Sequence, residues 1–251
     1  MPIVTDLPNA QAVRAVFFDA GFTLLAPHPS VVEIALAACA ARGTPVERAC
    51  LEAHLPNAEA SLRRSAKANP YTWAEQSAID AIWIAYFTEL LRPCLPDAAA
   101  GEVEAAARDV HQVFEHAASY ALYPDVIPAL DALRERRLTL GVISDWGVGL
   151  GLIMRHHDLV QYFDFAVISA AVRHSKPDPE LFQTALRRAD AIPDYAVHVG
   201  DSYVLDVLGA RAAGITPVLL DRAGRVDPAQ VDCLVIRDLD GLLAGLEIAH
   251  E

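Results

Sequence analysis

The sequence predicts an α/β fold: a doubly wound parallel sheet with an inserted all-helical cap domain. Three observations carry this. Short apolar runs recur along the chain and each closes in Asp or Ser, helical patterns alternate with them, and one long Ala-rich stretch has helical spacing without a strand pattern. Runs that are apolar on both faces suit a parallel sheet covered by helices, whereas a sheet with one wet face would alternate. Strands alternating with helices imply crossover units of one hand.

Strands are expected at Val13 to Asp19, Leu138 to Ser144, Phe165 to Ser169, Tyr195 to Asp201, Thr216 to Asp221 and Cys233 to Asp238. Helices are expected at Asp125 to Arg137, Gly147 to Gln161, Pro179 to Asp190, Tyr203 to Ala213 and Asp240 to Ala249. Between Ser30 and Tyr120, breaks at Gly43-Thr44-Pro45, Asn69-Pro70 and Arg92-Pro93 to Pro96-Asp97 divide the stretch into four helices. Pro27-His28-Pro29 and Tyr123-Pro124 read as stiff linkers into and out of it. Residues 1–26 and 121–251 are therefore assigned to the core and 27–120 to the cap. Both crossings lie beside the end of the first strand, so the cap is expected to act as a lid.

Composition narrows the partners. The 251 residues are 53% hydrophobic, enough for a large core, and 33 acidic against 20 basic residues give a net charge of −13. Nucleic acid is excluded by the lack of clustered Lys and Arg. No run reaches membrane-spanning length, and Met1 to Gln11 lacks the features of a signal peptide, so a reducing cytoplasm is the expected location. Cys39, Cys50, Cys94 and Cys233 show no C-x-x-C spacing and are expected to be buried free thiols. Trp73, Trp83, Tyr86 and Phe87 read as a buried helix stripe, while Arg63, Arg64 and Lys67 read as solvated. His156-His157 lacks further ligands and is not a metal site.

In an open parallel sheet, ligands bind where the strands end. Asp19 and Asp201 end two strands and suit Mg²⁺, which prefers carboxylate oxygen, carbonyl and water. Ser144 ends another, just before an expected helix, so its hydroxyl and the amides after it could hold a phosphate oxygen. Lys176 precedes Pro177-Asp178-Pro179, with Asp178 as N-cap and Pro179 as first helical residue. Each residue also has an ordinary structural reading: Ser144, Ser169, Asp201 and Asp206 as caps, and Lys176 as a surface charge. Their order at successive strand ends favours a phosphoryl site.

From about Val13 to Pro217 the chain resembles the haloacid dehalogenase-like hydrolase superfamily, in its helical-cap branch. The family's D-x-D-x-T motif aligns on Asp19-Ala20-Gly21-Phe22-Thr23, its strand-end Ser or Thr on Ser144, and its lysine motif on Lys176-Pro177-Asp178-Pro179 with Phe182. Its last motif aligns on Gly200-Asp201-Ser202 and Asp206. The resemblance implies a Mg²⁺-dependent phosphatase acting on a small phosphorylated metabolite through an aspartyl-phosphate on Asp19. It implies that Thr23 and Ser144 orient Asp19 and the phosphoryl oxygens, and that Lys176 neutralises charge. Asp19, the Gly21 carbonyl and Asp201 would bind Mg²⁺, with Asp206 as a further ligand or an orienting residue.

Two departures stand out. Gly21 occupies the position where related phosphatases carry a second Asp, the acid and base of the reaction, worth ~10²–10⁴ in rate. Asp145 replaces the common Asn and is expected to cap the helix after it. His28, Asp145, His111 and His116 are candidates for the missing acid. A catalytically silent phosphoryl-ligand binder and a 2-haloacid dehalogenase are the alternatives. Retention of Gly200-Asp201 argues against the latter. Lys67 is the only cap lysine, as a phosphonate-cleaving relative would need, but its context reads as exposed.

Overall fold

The computed structural model describes residues 4, 7, 9–69 and 71–247. The N-terminal reading falls largely outside them, as do Pro70 and the last two residues of the expected terminal helix.

The chain enters through β1 (Ala15–Phe18) and β2 (Leu25–Pro27) and then forms α1 (Val31–Arg42), α2 (Arg48–Ala68), α3 (Gln76–Leu91) and α4 (Ala100–Phe114). It returns through β3 (Tyr120–Leu122), α5 (Val126–Glu135), β4 (Thr139–Ser144), α6 (Leu150–His156), β5 (Phe165–Ile168), α7 (Ser169–Val172) and α8 (Pro179–Ala189). β6 (Ala196–Gly200), α9 (Leu208–Ala212), β7 (Thr216–Leu220), β8 (Leu234–Ile236) and α10 (Leu239–Gly245) complete it. All six expected strands form one parallel sheet in the order β5-β4-β1-β6-β7-β8.

The central strands are buried along almost their whole length, as continuous apolar runs require. Phe17 and Phe18 point to opposite faces, as alternate strand residues must, and both have no exposed surface. Each contributes roughly 1.5–3 kcal/mol of hydrophobic stabilisation. Because β1 lies between β4 and β6, the residues after Phe18, at the end of β4 and after Gly200 emerge side by side, with neighbouring strands about 4.8 Å apart. That is the point where the winding reverses.

The inserted segment contains the four expected helices. Ser30 opens α1 with a capping box, its hydroxyl accepting the Glu33 N–H while the Glu33 carboxylate accepts the Ser30 N–H. Gly43, at φ 84°, closes that helix in the left-handed conformation that a glycine reaches without a Cβ penalty. Of the expected aromatic stripe, Tyr86 and Phe87 are buried, whereas Trp83 is half-buried, 5.5 Å from Tyr86 and 4.8 Å from Phe114, and Trp73 is half-buried in a turn before α3. Arg63, Arg64 and Lys67 are exposed.

Three expectations are corrected. The expected linkers run directly on from a paired antiparallel ribbon, with Leu25 opposite Leu122 and Pro27 opposite Tyr120. Strands of three residues are too short for a periodicity, and Pro27 is tolerated because the ribbon has a free edge. Residues 203–207 form a π turn ahead of α9, and α6 begins only at Leu150. Finally, Cys50 and Cys94 form a disulfide across a separation of 44 residues, while Cys39 and Cys233 are buried free thiols. Only the packing of α2 against the end of α3 brings that pair together. Among the described residues, no helix is long and apolar enough to cross a membrane.

Candidate active site

The Asp19 amide still bonds the Val199 carbonyl of β6, at 2.9 Å, so its carboxylate emerges in sheet register at the end of β1. It is 8% exposed. The Lys176 ammonium donates to Asp19 Oδ1 and to Asp206 Oδ1, each at 2.6 Å, and Ser144 Oγ donates to the same Asp19 oxygen at 3.2 Å. Lys176 is buried, which ends its reading as a surface charge.

Lys176 is fixed from both sides. Asp145 Oδ1 accepts the Lys176 backbone N–H at 2.9 Å. Two residues on, Asp178 caps α8 by accepting the Glu180 N–H, and Pro179 begins the helix, as expected. Asp206 is aimed by the π turn, in which the amides of Asp206 and Val207 both reach the Ser202 carbonyl, at 2.8 and 3.2 Å. Such wide turns concentrate at functional sites. Asp206 Oδ2 accepts the Ser202 N–H, and Oδ1 also accepts from His198 Nε2 at 2.9 Å. Gly200 is required here because a Cβ would overlap the Asp206 carboxyl carbon.

The charges divide by partner. Burial opposes the Lys176 charge, but Asp19, Asp206 and Asp145 outweigh it and hold its pKa above the ordinary lysine value. Asp206 and Asp19 share that ammonium yet respond oppositely. For Asp206, burial is overcome by Lys176 and His198, and its carboxyl lies well below the usual range. For Asp19, burial dominates over Lys176, Asp206 adds repulsion, and the pKa rises to about 6. Burial lifts Asp145 to about 7 against the pull of Lys176, and burial pushes the His198 pKa down against the pull of Asp206. Asp201, exposed at the rim, is pushed up by partial desolvation and then by Asp19 and Asp206.

Other sequence-derived residues stand differently. Thr23 is fully buried, but its hydroxyl has no hydrogen-bond partner and makes no bond to Asp19. Of the amides expected to cradle phosphate after Ser144, Trp146 N–H is taken by Ser169 Oγ and Val148 N–H by Gln76 Oε1. Ser202, rather than Asp201 or Asp206, caps the π turn by accepting the Leu205 N–H. Asp145 does not cap α6, whose N-cap position is Gly149; instead it holds Lys176, and its Oδ2 is buried without a partner. His28 and His116 are exposed, and His111 lies 3.6 Å from Asp80.

Sequence reasoning missed four contributors. His198 was visible as the one polar residue inside an apolar strand. Trp146 lies over Gly21, with Cζ3 3.2 Å from where a Cβ would stand. Gln76, at the start of α3, links the inserted bundle to the loop after Ser144. Arg222 holds the turn after Asp19, donating to the Thr23 carbonyl at 2.8 Å and to Asp125 at 3.0 Å. None of these last three has a local signal.

Comparison with known proteins agrees with this geometry. The family described as haloacid dehalogenase-like hydrolase matches residues 13–214. The chain is 34% identical over 145 residues to human haloacid dehalogenase-like hydrolase domain-containing protein 3, an alignment covering 56% of this chain and 58% of that protein. It is 33% identical over 192 residues to a phosphoserine phosphatase of Thermus thermophilus, covering 67% of this chain and 76% of the relative. A crystal structure of a 2-haloacid dehalogenase from Pseudomonas syringae superposes with a TM-score of 0.63 at 27% identity, covering 94% of this chain and 98% of that one. On the family match and on the strand-end constellation that accompanies it, the chain belongs to the haloacid dehalogenase-like hydrolases.

Proposed function

We propose that the protein is a phosphatase for a small, soluble phosphate ester, with Asp19 as nucleophile and Mg²⁺ as its metal. One observation carries this reading: a buried ammonium bridges Asp19 and Asp206 at the sheet edge, with Ser144 on the same Asp19 oxygen. A carboxylate so placed attacks phosphorus, forms an aspartyl-phosphate and releases the alcohol, and water then cleaves the acyl phosphate. Lys176 offsets charge on the transferring group.

The donor set fits a hard divalent cation. Asp19 and Asp201 are both pushed upward in part by neighbouring carboxylates, and Lys176 alone leaves the cluster with excess negative charge. Asp19, the Gly21 carbonyl and Asp201 would hold the ion, and when bound it supplies charge neutralisation at the phosphoryl oxygens. In this reading Asp206 orients Lys176, since both of its oxygens already have partners.

Asp145 takes the role of the missing acid. Its carboxyl is anchored through Oδ1, its other oxygen is buried and unpartnered, and its pKa near 7 keeps much of it neutral at physiological pH. A neutral carboxyl donates a hydrogen bond where a carboxylate would repel phosphate. The 27% identical dehalogenase and the absence of an acid at Gly21 favour 2-haloacid dehalogenation as a second reading. A panel of phosphate monoesters with and without Mg²⁺, with Asp19→Asn as blank and a 2-haloacid as control, separates the two. Asp19- and Mg²⁺-dependent phosphate release is expected. Halide release without metal would replace this reading with the second, and no turnover on any substrate would leave the silent binder.

A further inference from the structure

The disulfide of the inserted bundle has an asymmetric setting. Cys50 on α2 and Cys94 just after α3 are both half-buried, whereas Cys39 and Cys233 are buried. His54, one turn beyond Cys50, places Nδ1 2.9 Å from the Cys50 carbonyl oxygen and 3.7 Å from Cys50 Sγ. A carbonyl only accepts, so Nδ1 carries the hydrogen and donates it to that carbonyl, with the Cys50 sulfur as a second, weaker acceptor of the same N–H. Cys94 Sγ instead lies 3.8 Å from the Leu90 carbonyl, an acceptor. A donor stabilises a thiolate and an acceptor stabilises a thiol. The three side chains place their donor atoms within 4.8 Å of one another.

We propose that Cys50, Cys94 and His54 form a reversible thiol–disulfide exchange site in the cap, serving a dithiol reductant, with Cys50 as the sulfur released as thiolate. A thiolate of the dithiol attacks Cys94 Sγ, a mixed disulfide forms, and Cys50 leaves with the electron pair beside the His54 N–H. The second thiol of the reductant then gives up its proton and attacks the first, which closes its disulfide and releases Cys94; Cys94 takes up a proton and becomes a thiol facing Leu90. Two electrons pass from dithiol to protein. His54 is a positioning residue in this step. The bridge ties α2 to the end of the helix whose first residue, Gln76, holds the loop after Ser144.

The test is site-resolved alkylation of the full chain, with a metal chelator present. The folded protein is treated with dithiothreitol, freed of reductant, and exposed to iodoacetamide at neutral pH, and each cysteine is followed by peptide mass spectrometry. Reduction of the bridge without denaturant is expected, with Cys50 alkylated at least about threefold faster than Cys94 per unit of thiol pKa difference, after allowing for the weaker nucleophilicity of the more stable thiolate. His54→Gln should erase that difference while Cys39 and Cys233 stay protected, which shows the fold intact. A bridge that yields only on unfolding, or equal rates at the two sulfurs in the native sequence, would overturn the proposal. So would protection of both thiols by one equivalent of Zn²⁺ in a separate chelator-free arm, which would make the cluster a metal site.

Discussion

In the proposed phosphatase, the proton supply to the leaving group turns on Asp145 and Gly21. For Asp145 the sign of the pH effect follows from its neighbours Lys176, Asp19 and Asp206 and from its burial, which together leave its pKa raised to about 7. The proton is present below that pH and lost above it, so kcat/KM should fall by up to about tenfold per unit as pH rises beyond 7. Asp145→Asn should flatten that limb and slow alkyl esters more than aryl esters, since an aryl leaving group needs little protonation. An unchanged profile would remove Asp145 from the chemistry. At Gly21 a new Cβ would stand 3.2 Å from Trp146 Cζ3, so the indole must yield by a few tenths of an ångström. With Asp145 as the working acid, Gly21→Asp is expected to change the native enzyme little but to restore alkyl-ester turnover to Asp145→Asn by roughly 10²-fold, the low end of general acid catalysis, because Trp146 must move. Equal gains on alkyl and aryl esters would show that the proton is not limiting.

At the scale of elements, the link between bundle and core is Gln76, which accepts the Val148 N–H at 2.9 Å and donates to Asp80 at 2.7 Å. Removing one such bond costs about 0.5–1.5 kcal/mol. Gln76→Ala is therefore expected to raise KM by roughly 2- to 10-fold with little change in thermal stability, measured by initial rates alongside a melt; an unchanged KM would deny the link a part in substrate capture. The strands and the four inserted helices were legible because each carries its own period or its own stop signal, such as Gly43 after α1. The ribbon of β2 and β3 was not, because three residues show no period. Nor was the π turn at 203–207, whose extra width comes from two amides sharing the Ser202 carbonyl and from Asp206 being drawn toward Lys176.

For the whole molecule, the order of strands decides what meets. Asp19, Ser144 and Lys176 lie far apart in sequence, yet they converge because β4 and β6 flank β1 and because Asp145 draws the Lys176 loop inward. That convergence could be read from the motifs. The division of labour inside it could not, since the occupied oxygens of Asp206 and the partnerless hydroxyl of Thr23 are consequences of packing. The cysteine pair was hidden for the same reason. The central claim is that Asp19 attacks phosphorus and that water later attacks the same phosphorus. Turnover in water enriched in heavy oxygen, followed by mass analysis of the released phosphate and of the peptide containing Asp19, tests it directly. Label is expected in the phosphate and none in the Asp19 carboxylate, whereas label in Asp19, the mark of water attacking a carboxylate ester carbon, would contradict attack at phosphorus.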